Sequence, residues 1–172
     1  MIVCKAKPTW RDRKAEADEY MPDAEAIIRR CLSIAGIANM IVSRIAPADE
    51  DQKFGADLLF NLRVSVGVRV RKPWPTLDDF TIRTKTRSGR ESELSKILRG
   101  YPDFLFYAIR NKSGGFLHWK FCRWSIFRDY YLSRAHLRPG IHKPNDDGTA
   151  FGIFLFRAML PGFVIASSDA DQ

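Results

Sequence analysis

Asp57, Glu93 and Lys96 are the side chains whose types suit phosphodiester hydrolysis. Metal-assisted cleavage needs two or three carboxylates converging on Mg²⁺ or Mn²⁺, with a lysine to orient water or balance charge. Glu93 and Lys96 stand three apart in a helical pattern, so they face the same way. Asp57 opens an apolar strand-like run. Asp103 at the head of a later strand and Glu25 on the first helix are further carboxylates for such an ion. Each also has a plainer reading. Glu93 and Lys96 suit an ordinary surface ion pair, Asp103 follows Pro102 at a turn, and Glu25 favours its own helix N-terminus.

The second group is cationic. Residues 63–99 hold ten Lys or Arg against four acids, most of the chain's formal +8. Strand alternation sets Arg69 and Arg71 on one face, and likewise Arg83, Lys85 and Arg87. Two such strands side by side form a ridge that tracks phosphates. Trp74, Trp119 and Trp124 are candidates to stack on bases. The alternative is a solvated sheet edge kept from pairing by its charges. A nucleic-acid partner outweighs it because the excess charge is so concentrated. His118, His136 and His142 have no ligand spacing. Ser nucleophile elbows, Walker A and GxGxxG loops are absent.

These residues need a scaffold. The chain has 172 residues, 45% hydrophobic and 28% charged, enough for one globular α/β domain. No apolar run is long enough to span a bilayer, and no secretory leader is visible, so a membrane role is not expected. Three separated cysteines favour a reducing cytosol over disulfides or structural zinc. Residues 1–21 read as an N-terminal arm and 22–172 as the domain, with a core to about 133 and a C-terminal extension over 134–172. A helix is expected to start at Pro22-Asp23, with Ile27, Ile28, Cys31 and Leu32 on its apolar side. Residues 56–72 alternate as strand, with Gly67 a candidate break. Residues 80–86 alternate again. Ser88-Gly89-Arg90-Glu91 has capping-box form, so 89–99 reads as a helix stopped by Gly100. Residues 103–109 are apolar on both parities, the mark of a central strand. Strands over 117–123, 149–157 and 163–166 follow, with a helix capped by Ser125 between the first two. The aromatics at 104–107 and 151–156 read as core.

This order, αβββαβ over roughly 22–110 with Asp57 at the first strand, resembles the PD-(D/E)XK phosphodiesterase superfamily of restriction enzymes and Holliday-junction resolvases. The segments Tyr101-Pro102-Asp103-Phe104 and Trp119-Lys120-Phe121 are similar to the second half of such domains. The resemblance implies a restriction-endonuclease-like core with a mixed central sheet flanked by helices, plus C-terminal strand and helix additions. It implies nucleic acid as partner more strongly than it implies cleavage; DNA is favoured over RNA, and the sequence leaves the oligomeric state open, a homodimer included. The strand-borne acid-x-Lys is replaced by Arg69-Val70-Arg71, and the family's relocation of Glu or Lys to the next helix is matched by Glu93-x-x-Lys96. The phrase Asp79-Phe80-Thr81-Ile82-Arg83, followed by Ser88-Gly89, is similar to small phage-type proteins.

Three functions follow as expectations. The first is a divergent metal-dependent nuclease: Asp57 and Glu93 hold the metal, Asp103 or Glu25 assists, Lys96 acts in the chemistry, and Arg69, Arg71, Arg83, Lys85 and Arg87 seat phosphates. The second is a binding module of the same fold without catalysis. The third is a protein-interaction protein using the basic face.

Overall fold

The computed structural model describes residues 10–37, 43–45, 58–60, 64–72, 77–137 and 139–168. Asp57, Arg63 and Trp74 lie outside them.

A helix, α1 (Trp10–Ile34), leads into three antiparallel strands, β1 (Ser43–Ile45), β2 (Leu58–Phe60) and β3 (Val64–Arg71). Strand β4 (Asp79–Lys85) and helix α2 (Glu93–Arg99) follow, then β5 (Phe104–Arg110), β6 (Phe116–Arg123) and α3 (Trp124–Ser133). The chain ends through β7 (Ile141–Pro144), β8 (Ala150–Leu155) and β9 (Val164–Ser167). Among the described residues, six strands form a mixed central sheet in the order β1-β2-β3-β5-β6-β9, and three form a second sheet in the order β4-β8-β7. Strands β3 and β5 are parallel, as the β4–α2 crossover between them requires. The molecule is thus a mixed α/β fold with a central mixed sheet flanked by helices.

Alternation sets the layers. Val66, Phe104, Phe106, Ala108 and Phe121 face α1 and bury Met21, Ala24, Ile28, Cys31 and Leu32. Leu105, Tyr107 and Ile109 face the other way, onto α2, α3 and the second sheet. Phe80 is the hub of that layer, with Tyr107, Trp124, Phe127, Phe154, Phe156 and Phe163 rings all within 6.5 Å. Gly152 makes room for it, since a Cβ there would lie 2.8 Å from the Phe154 ring. Burial raises the Cys122 thiol pKa in this layer, which keeps the group neutral.

Several expectations need correction. α1 does not begin at Pro22 but runs through it from Trp10. The missing proline N–H costs a backbone bond. Packing on both sides of it offsets the loss: Tyr20 lies against Phe116 and under Arg110, and Ala24 is fully buried. The break in residues 56–72 falls between β2 and β3, and Gly67 is inside β3. Strand β4 leaves the central sheet, so β3 and β4 are not paired side by side. Helix α2 is capped by Ser92, whose Oγ accepts from Ser95 N, and not by Ser88. Gly100 ends it in the left-handed conformation, as expected. Ser125 lies within α3, which starts at Trp124 without a side-chain cap. Within 139–168, β9 pairs with β6, β8 pairs with β4, and Phe154, Phe156 and Phe163 are core. No helix among the described residues is long and apolar enough to cross a membrane.

Candidate functional site

The crossover leaves one edge of β4 facing the central sheet without a strand partner among the described residues. Side chains complete it. The Tyr107 hydroxyl lies 3.2 Å from Thr81 N and accepts from it. Arg69 Nη1 donates to Thr81 O at 2.8 Å, and Arg83 N donates to Glu93 Oε2 at 2.9 Å. The same Glu93 oxygen takes Arg69 Nη2 at 2.6 Å. Glu93 and Arg69 are therefore a bracket joining β3, β4 and α2. Both side chains keep about a quarter of their surface exposed. This placement follows from parity: Arg69 shares its face of β3 with Ser65 and Gly67, opposite the valines that pack on α1.

Beside the bracket is a cavity of about 240 Å³ walled by Arg69, Arg83, Lys96, Glu91 and Glu93. Leu105, Pro102 and Trp124 supply its apolar wall. The buried Trp124 Nε1 has no hydrogen-bond acceptor among the described residues. A wider outer cavity of about 640 Å³ shares Arg83, Thr86, Glu91 and Lys96 and adds Arg87, Ser88, Arg90 and Thr149. The two make one groove. Four cations and one carboxylate line its outer part. That carboxylate, Glu91, is paired with Arg99 at 2.7 Å. Across the mouth, the Asp147 carboxyl is held below its usual range by hydrogen bonds from the Thr149 hydroxyl and N–H, with smaller help from Arg87 and Arg83.

The expected site residues separate. Glu93 and Lys96 do line one cavity with Arg69. Glu25 is on α1, across the sheet from α2, with its carboxylate on Arg29 at 2.8 Å. Asp103 Oδ2 accepts from Ser65 N and Oγ, both at 2.8 Å, and ties the start of β5 to β3. Arg71 pairs with Asp79 at 2.7 Å. Arg83, Lys85 and Arg87 are exposed on β4 and the turn after it. Trp124 is core and offers no face to a base, whereas Trp119 is half-buried and packs on Phe106. Asp57 lies outside the described residues.

The donor set does not fit Mg²⁺ or Mn²⁺ among the described residues. Glu93 already carries a guanidinium and a backbone N–H, and no group of three His, Cys, Asp or Glu is assembled there. The guanidinium and ammonium groups that line the groove are of a kind that can hold an anion. In the sequence Arg90 stands out only as one of the charges in 63–99 and as a member of the Ser88-Gly89-Arg90-Glu91 turn. Phe151 was hidden in a segment read wholly as core, although its parity is opposite to that of Phe154. No family model matches the chain, and no curated protein is detectably similar to it.

Proposed function

We propose that this chain binds nucleic acid, DNA before RNA, seating phosphates in the groove between β4 and α2. The observation that carries the reading is the lining of the outer cavity: Arg83, Arg87, Arg90 and Lys96 face it, and its one acid is engaged by Arg99. The segregation of charge supports a polyanion over a small neutral ligand. The order up to β5 is αββββαβ and reduces to αβββαβ only when β4, which joins the second sheet, is left out; that reduced order, with β5 parallel to β3, supports a restriction-endonuclease-like ancestry. The Glu93–Arg69 bracket favours a binding module over an active enzyme.

Metal-dependent phosphodiester hydrolysis is the second reading, favoured by Glu93 and Lys96 meeting at one cavity. One assay separates the two. Labelled single- and double-stranded DNA and RNA are offered with Mg²⁺, with Mn²⁺ and with EDTA, across a salt series. The binding module retains them without metal, and log K falls linearly with log salt. Arg87→Ala with Arg90→Ala weakens retention and lowers that slope by about one per lost phosphate contact. Metal-dependent cleavage that Asp57→Ala abolishes establishes the hydrolase instead. Neither retention nor cleavage overturns both and leaves an acidic protein partner.

A further inference from the structure

The outer face of the second sheet is exposed at Arg83, Lys143 and Ile141, while farther along β4 it meets the central sheet, where Thr81 Oγ1 lies 3.3 Å from Tyr107 Oη and Asp79 pairs with Arg71. The register of the second sheet aligns Arg83 with Phe151 and Phe151 with Lys143, and Thr81 with Ile153 and Ile153 with Ile141. Directly opposed residues point to the same side of a sheet. The buried set on β4 and β8, Phe80, Ile82, Gly152 and Phe154, has the other parity. The first row therefore presents an aromatic ring between two cations on the outer side. Phe151 and Ile153 are half-buried, whereas Ile141 is 61% exposed and Lys143 is exposed. The Arg83 guanidinium lies 5.5 Å from the Phe151 ring centre, within cation–π range. Arg83 also lines both parts of the groove, so groove and face meet at this residue.

We propose that this face is a stacking platform for single-stranded nucleic acid, with one base on Phe151 and the Arg83 plane and the adjoining phosphates on Lys143 and the groove. The inference rests on the nucleic-acid reading and names its substrate class. An aromatic ring rewards only a base whose face is free, which a duplex does not offer. Charge selects the occupant. The row is cationic at both ends, and Asp79 at the edge of this face is paired with Arg71. Asp146 and Asp147 lie at the far turn, the latter bonded to Thr149. A second copy of this chain, with its own excess of cations, is a poorer complement.

The test measures binding of a single-stranded DNA oligomer, an abasic oligomer of equal length and a duplex, using fluorescence anisotropy. Phe151→Leu keeps apolar bulk at a strand position while removing the ring, and an unchanged melting temperature certifies its fold. The expected result is a loss of between about fivefold and a hundredfold for the single strand, with abasic and duplex binding unchanged. A wild-type protein that holds the abasic oligomer as tightly as the normal one overturns the platform. Equal single-strand affinity of Phe151→Leu and wild type does the same while leaving the groove reading intact. Retention of none of the three probes removes both readings. Sedimentation adds the last outcome: a dimer that Ile141→Glu converts to monomer assigns the face to a second copy and overturns the proposal.

Discussion

The two faces of the central sheet are built from the same strands by opposite means. Under α1, β3 and β5 present Val66, Phe104, Phe106 and Ala108 to a helix whose buried positions recur at three and four, an apolar contact. On the other side, β3 presents Ser65, Gly67, Arg69 and Arg71, and the second sheet meets it edge-on through hydrogen bonds. Only farther in, around Phe80, does an aromatic cluster take over. The first face is closed mainly by packing, with Arg110 over Tyr20 as a polar contact between β5 and α1. The second is closed by packing at its centre and by a polar bracket at its margin, and the groove opens at that margin. Residues that can bind an anion are available there because the strand edge required polar partners.

Truncating one anchor on each face is the strongest way to break this contrast. Phe80→Ala is expected to cost about 3–5 kcal/mol, since it empties the hub of six aromatic neighbours. Ile28→Ala, fully buried under the sheet, is expected to cost roughly 2–5 kcal/mol and to fall below Phe80→Ala. Urea unfolding monitored by tryptophan fluorescence measures both. An Ile28→Ala loss larger than that of Phe80→Ala would show that the α1 face, not the aromatic layer, is the principal core.

The parts of the fold legible in sequence are those fixed by local pattern. The valines at 64, 66, 68 and 70 mark a strand with one apolar side, and the double-sided run from Phe104 to Ile109 marks a central one, buried throughout. Gly100 marks a helix end because only a residue without Cβ takes its positive φ cheaply. What alternation does not encode is the identity of the partner. Arg69 and Arg71 were legible as the polar side of β3. That this side meets a second sheet depends on β4 pairing with β8, some seventy residues later. The Glu93–Arg69 pair spans 24 residues and two elements, so helical spacing pointed to Lys96 instead. Ser88 and Ser92 both head plausible caps. Leu94 and Ile97, buried on the short helix, are satisfied by the later start. Phe151 shows the limit of composition within one strand: Phe154 is core, and strand parity puts Phe151 on the opposite face.

The bracket gives a smaller effect and a sharper test. Glu93→Ala removes the acceptor for both Arg69 and the Arg83 amide at a partly solvated site. The expected cost is about 1–2 kcal/mol, below that of a fully buried pair. Glu93→Gln keeps an oxygen for the amide and loses only the charge, so its cost is expected to be lower. Hydrogen exchange distinguishes the two: the Arg83 amide exchanges faster in Glu93→Ala and remains protected in Glu93→Gln. If both variants leave that amide protected, Glu93 does not close the edge of β4 and is released for a role in the groove.

The smallest effect lies farthest from the core, at the β7–β8 turn. Asp147 accepts from Thr149 N at 3.0 Å and from Thr149 Oγ1 at 2.6 Å, and these bonds lower its pKa. A carboxyl lowered in the folded state stabilises above its unfolded pKa, and that contribution is lost as pH falls through the folded value. The Thr149 amide resonance is therefore expected to move in the acid range, at or below the ordinary aspartate pKa, as the turn loses its acceptor. Asp147→Asn retains an oxygen without a titrating group, so the same resonance should hold its position through that range. Because the carboxylate is solvated, global stability should barely change. This separates the turn from the bracket, where loss of the acceptor unties two strands from a helix. A Thr149 amide that titrates equally in wild type and Asp147→Asn would place the source in another carboxyl, with Asp146 the nearest in sequence.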